Sequence, residues 1–233
     1  MAETKIISGV PAPGQPAIAP GTQKLIDSLW GSDRQSPRPW DYTIGGKVLG
    51  FYRHSAVSGL TTGLAAGNLL YSFRYADPSS VAVLLRVTVN GVATTAFTTA
   101  QPIDADGIFV RGWTTSDTAG TALTSQAQST NAMRTKPMGN SLLFSSGDLR
   151  IATAAAVAAG ATKTPDANPF GFWSSFSTIV GGPADLYKYD PNGGHPPVFA
   201  VNEGFNLRLI TAQGAVGVVK YYVAVEWAEL AGF

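Results

Sequence analysis

Near the C-terminus two apolar runs alternate at period two: Phe205, Leu207 and Leu209, then Val219, Tyr221, Val223, Val225 and Trp227. Alternation of this kind is the signature of a strand with one buried face. Gly214 and Gly217 between the runs predict a tight reversal, so the two are expected to pair as a β-hairpin. The opposite side of the second run (Lys220, Tyr222, Ala224, Glu226, Ala228) is only partly polar. That side is therefore expected to be covered as well, by another strand or another subunit.

The same pattern recurs upstream. Lys47 to His54 alternates weakly; Leu69, Tyr71, Phe73 and Tyr75 share one face, and Asp77-Pro78 follows as a turn. Residues 81–90, VAVLLRVTVN, are apolar enough on both sides to predict a central strand, with Val81, Val83, Leu85, Val87 and Val89 on one face. Further strands are expected over 104–114, near Leu149 to Thr153, over Leu186 to Tyr189 and over Val198 to Val201. Residues 116–139 read as a long polar connection, and the Ala-rich piece before Gly160 as a helical turn. Eight to ten short strands separated by Gly, Pro and Asn turns predict an all-β fold, a single β-sandwich or jelly-roll-like domain over 46–233. No fixed-period repeat argues for a propeller or solenoid.

Residues 1–45 read differently. Pro11, Pro13, Pro16, Pro20, Pro37 and Pro39 withdraw backbone donors and favour extended conformations, with a short helix-like insert TQKLIDSLW at 22–30. This segment is expected to be an arm, strapped over its own domain or reaching onto a neighbour. Ile18, Leu25, Leu29 and Trp30 are its contact candidates.

Charged residues make up 13% of the 233, about half the usual share, with net charge +1 and no block of like charges. A surface so poor in charge favours work inside an assembly. The electrostatic footprint for nucleic acid or an anionic membrane is missing. With no Cys, disulfides, thiolate metal sites and a cysteine nucleophile are excluded. The N-terminus does not read as a signal peptide and no apolar run reaches spanning length, so assembly in a cytoplasm is expected.

Candidate chemistry is thin, and no catalytic, cofactor-binding or metal-ligating residue is assigned. His195 lies in YDPNGGHPP, which describes a loop better than a metal cage. Asp104 and Asp106 supply two carboxylates where calcium wants five or more oxygens, so a solvated turn is expected there. Glu226 and Glu229 have opposite parity and cannot form a catalytic pair in a regular strand; Glu226 is expected to pair across strands with Arg208 or with the neighbours of Lys220. No nucleophile elbow, phosphate loop or dinucleotide fingerprint occurs. The aromatic group Phe170, Phe172, Trp173 and Phe176 reads as core filler or subunit contact ahead of a sugar-stacking platform.

Several stretches taken in order resemble a family of tailed-bacteriophage and prophage virion proteins. They are LLYSFRYADPSSVAVLLRVTV at 69–89, FVRGWTTSDTAGTALT at 109–124, MRTKPMGNSL at 133–142, DLRIATAAAVAAG at 148–160, VFAVNEGFNLRL at 198–209 and VAVEWAEL at 223–230. The resemblance implies a virion component with a β-sandwich body and brings no catalytic residues. The expectation is a non-enzymatic capsid decoration or cement protein, a homo-oligomer with a trimer favoured, partnered by the major capsid protein and located in the virion. A tail-associated receptor- or glycan-binding module is the alternative.

Overall fold

The computed structural model describes residues 48–123, 133–136, 148–160, 162–178, 182–190 and 195–231. The arm and its candidates Ile18, Leu25, Leu29 and Trp30 lie outside these residues, as does the expected start of the body at Gly45-Gly46.

The described residues are all β, with thirteen strands: β1 Val48–Val57, β2 Leu69–Tyr75, β3 Ser80–Thr95, β4 Pro102–Arg111, β5 Thr121–Ala122, β6 Met133–Lys136, β7 Leu149–Ile151, β8 Thr164–Pro165, β9 Gly171–Phe176, β10 Ala184–Lys188, β11 Val198–Phe199, β12 Glu203–Leu209 and β13 Val218–Ala231. They form two antiparallel sheets. One runs β10-β3-β13-β1-β6, with β11 also on β3; the other runs β5-β7-β2-β12-β4-β8, with β9 also on β4. Eight long strands alternate between the layers: β1, β13, β3 and β10 in one, β2, β12, β4 and β9 in the other. That order is a jelly roll, two interleaved Greek keys closed into a sandwich.

The topology overturns the expected C-terminal hairpin. β12 pairs with β2 and β4, whereas β13 pairs with β3 in the other sheet. Both strands carry an apolar face, and those faces meet across the core instead of lying side by side. The eight residues from Ile210 to Gly217 are long enough to cross the roughly 10 Å between packed sheets, which a two-residue turn is not.

β3 is the central strand of its sheet, flanked by β13 along its whole length and by β10 and β11 on the other side. Its inward face is not the expected one throughout. The register slips where Glu226 faces Arg86 and Trp227 faces Leu84, leaving Leu85 as an extra residue. This bulge switches the phase, so Ala82 and Leu84 point into the core before it and Val87 and Val89 after it.

The core is one aromatic cluster between the layers. Phe73 stacks on Phe205 at 5.3 Å and meets Trp227 edge-on at 5.4 Å, and Tyr52 lies 5.5 Å from Trp227. Burying each such ring is worth about 1.5–3 kcal/mol, which supplies the stability that disulfides cannot. The Ala-rich stretch before Gly160 forms no helical turn. It is held extended by bridges from Leu69 to Val157 and from Thr118 to Ala158, because flanking strand edges offer its backbone partners that a short isolated helix would lack.

Candidate interaction surface

β9 lies at the rim of its sheet. It pairs with β4 from Pro102–Phe176 to Gly107–Gly171 and, among the described residues, with no strand on its other side. Alternation divides the expected aromatic group in two. Trp173 points inward, is buried, and sits against Gly91, where an added Cβ would come within 2.7 Å of its ring. Phe170, just before the strand, is half-buried and stacks on Phe109 at 4.3 Å. Phe172 and Phe176 point outward, 65% and 39% exposed, with Ser174 between them. Among the described residues β9 is paired along one edge only, and its two exposed rings make an apolar contact surface at the rim of the sheet.

The outer face of the same sheet is polar and covered by the segments around Asp117 and Lys163. Ser72 of β2 donates to Asp117 at 2.7 Å, Asn206 of β12 donates at 3.4 Å, and the Gly160 N–H donates at 2.6 Å. Lys163 Nζ completes the set at 2.7 Å from each carboxylate oxygen and lies 5.3 Å from the centre of the Trp113 ring. Burial pushes the Asp117 carboxyl up, but hydrogen bonds from Lys163, Ser72 and Gly160 and the Lys163 charge outweigh it and hold it below the usual aspartate value. Alongside, Arg74 and Ser116 both reach Asp148, at 3.1 and 2.6 Å, and Arg74 donates to Asn202 at 2.6 Å. The Asp117 carboxylate is held by Ser72, Asn206, Gly160 and Lys163, an arrangement that fastens loop to sheet.

Asp104 and Asp106 are not in a turn. Both belong to β4 and face outward, where Asp106 takes Arg208 in a two-point contact at 3.0 and 2.6 Å and Asp104 accepts from the Thr211 N–H and hydroxyl at 2.7 and 2.9 Å. The register places Arg208 directly opposite Asp106, so Arg208 does not meet Glu226. Glu226 lies instead opposite Arg86 and 3.7 Å from Arg53. Glu229 faces inward and accepts from Trp227 Nε1 at 3.0 Å, so the two glutamates do occupy opposite faces. His54 is buried beside Tyr71 and His195 is exposed in a loop. Among the described residues no three His, Asp or Glu side chains converge as metal ligands.

A cleft of about 340 Å³ opens at one end of the sandwich. Its wall is the C-terminal end of β4 (Phe109, Val110, Arg111), its floor is Pro197, Val198 and Phe199, and Glu203 and Gly204 at the start of β12 close it. The two charged residues there already have partners: Arg111 Nη2 donates to both oxygens of Asp166 at 2.7 and 2.9 Å, and Glu203 accepts from the Ala200 N–H at 2.9 Å. Sequence reading missed the cleft because Phe109 and Phe199, 90 residues apart, meet only when β11 folds under β4.

The chain matches no protein-family model and no curated protein sequence.

Proposed function

We propose that this chain is a non-enzymatic structural component of a tailed-phage virion, a capsid decoration or cement protein that acts as a homo-oligomer, with a trimer favoured. The observation that carries the reading is the rim strand β9, whose Phe172 and Phe176 stand exposed in a chain with only 13% charged residues. A surface of that kind resists being left in water and is suited to a permanent neighbour. The buried carboxylates contribute to the same reading, because Asp106, Asp117 and Asp148 are each committed to Arg or Lys and fasten the fold. The arm, residues 1–45, would add a second attachment by burying Ile18, Leu25, Leu29 and Trp30 on an adjacent subunit.

The test is deletion of residues 1–45. The truncated protein is expected to keep its β signature in circular dichroism yet to bind shells poorly and to leave them heat-sensitive. Truncated protein that incorporates and protects as well as the full chain would refute the attachment. Binding on a glycan array would favour the tail-associated reading instead.

A further inference from the structure

The phase of the β9 ladder follows from its neighbours. The Ser177 N–H donates to the Gln101 carbonyl, and on the far side of β4 the Asp104 carbonyl accepts from the Ile210 N–H. Backbone groups alternate in direction along an antiparallel ladder, so Ile103 and Ala105 of β4 turn theirs toward Ser175 and Trp173. The N–H and carbonyl groups of Phe172, Ser174 and Phe176 therefore point the other way, to the edge with which no described strand pairs.

That edge carries none of the usual protection. Residues 171–176, GFWSSF, hold no charge and no proline, and their register with β4 runs from Gly107–Gly171 to Pro102–Phe176 without a shift. Charges, prolines and bulges are what keep a sheet edge from accepting a further strand. The exposed outward residues also read the same in both directions: Phe172, Ser174, Phe176. With a second copy of β9 laid antiparallel and Ser174 opposite Ser174, each Phe172 faces the Phe176 of the other copy. All three positions then fall on hydrogen-bonded pairs, which matches the phase of the edge groups. Centring on Trp173 or Ser175 would instead set Phe172 or Phe176 against Ser174. A twofold axis normal to the sheet keeps both outward sets on one face, with paired Cβ atoms about 5 Å apart. The nearest outward charges leave nothing to repel a copy, because Asp106 is held by Arg208 and Asp104 by Thr211.

We infer that β9 pairs with β9 of a second copy of this chain, antiparallel about Ser174, joining the two sheets into one. The contact uses the same edge in both copies and so closes on itself. It rests on the homo-oligomeric reading above and names one of its contacts. In a trimer held by other surfaces, the same pairing would link one trimer to the next.

The experiment uses the full chain, which has no native cysteine. Ser174→Cys supplies one thiol per chain, so any cross-link joins two copies, and a thiol reagent spanning about 5 Å fits the expected separation. Cross-linked pairs are expected in high yield, whereas Tyr222→Cys, exposed on β13, should give none. Ser174→Lys and Ser174→Asp each set like charges face to face on the axis and should weaken self-association at least about tenfold while keeping the β signature in circular dichroism. Mixing the two variants in equal amounts should restore it, since Lys then meets Asp. Equal cross-linking at positions 174 and 222, or a mixture no more associated than its components, would overturn the pairing. Light scattering separates this claim from the reading beneath it. An oligomer whose mass is unchanged by Ser174→Lys refutes only the β9 pairing, whereas a native chain that is monomeric refutes the oligomeric reading along with it.

Discussion

Lys163 Nζ lies 2.7 Å from both carboxylate oxygens of Asp117, a residue 46 positions earlier in the chain, and both side chains are almost wholly withdrawn from water. The pair joins two ends of the excursion between β4 and β9 to the outside of the sheet. Ser72 and Asn206 then tie the pair to β2 and β12.

Removing one partner strands the other charge in a dry site. Asp117→Ala and Lys163→Met are each expected to cost about 3–5 kcal/mol in urea unfolding, while the double variant loses much less than the sum. Additive costs in the double-mutant cycle would show that the two residues act independently.

Acid should release the same fastening. The folded Asp117 carboxyl titrates below its unfolded value, so its stabilising contribution is complete above the ordinary aspartate range and is lost as pH falls through the lower, folded value. Stability of the native protein is therefore expected to drop on acidification below about pH 4, and Asp117→Asn should flatten that drop. An unchanged acid limb in the Asn variant would assign acid unfolding to other carboxylates.

Alkali acts on the core tyrosines. Burial, then the charge and hydrogen bond of Glu229, push Tyr52 up to about 12, and burial followed by the charge of Tyr189 does the same for Tyr187. Tyr71, Tyr75 and Tyr221 are raised further, by burial first. A raised phenol favours the folded state only while it is neutral, so stability should fall as pH rises past about 10, where the unfolded chain ionises first. Absorbance titration is expected to show these five tyrosines ionising late, three of them together with unfolding. Smooth ionisation of all tyrosines near 10 in a folded protein would contradict the packing.

Neighbouring aromatics on β9 should behave oppositely. Trp173→Ala empties a buried site and is expected to cost about 3–5 kcal/mol. Phe172→Ser, at an exposed position, should leave unfolding within about 0.5 kcal/mol of the parent while weakening self-association in sedimentation. An oligomer unaffected by Phe172→Ser would remove β9 from the subunit contact.

Much of this was legible in the residues, and the failures share a cause. Period-two alternation located β2, β3, β12 and β13 and identified the buried sides of Phe73, Leu207 and Val223, because alternation records burial directly. It does not record which strand lies beside which. β12 and β13, adjacent in sequence and both apolar on one face, look alike whether they pair edge to edge or face each other across a core. The bulge at Leu85 was equally silent, since an extra apolar residue in an apolar run leaves no mark. The Asp117–Lys163 fastening had no signal at all, both residues standing alone in polar loops far apart. The aromatic group at 170–176 was visible as bulk, but only the strand phase separates Trp173 in the core from Phe172 outside it.

The central claim is that this chain is a stoichiometric part of a virus particle, and quantitative mass spectrometry of purified particles tests it most directly. The account predicts the protein at high copy in a fixed ratio to the major shell protein, retained through density-gradient purification. Its absence from particles while it is abundant in the lysate would contradict that account.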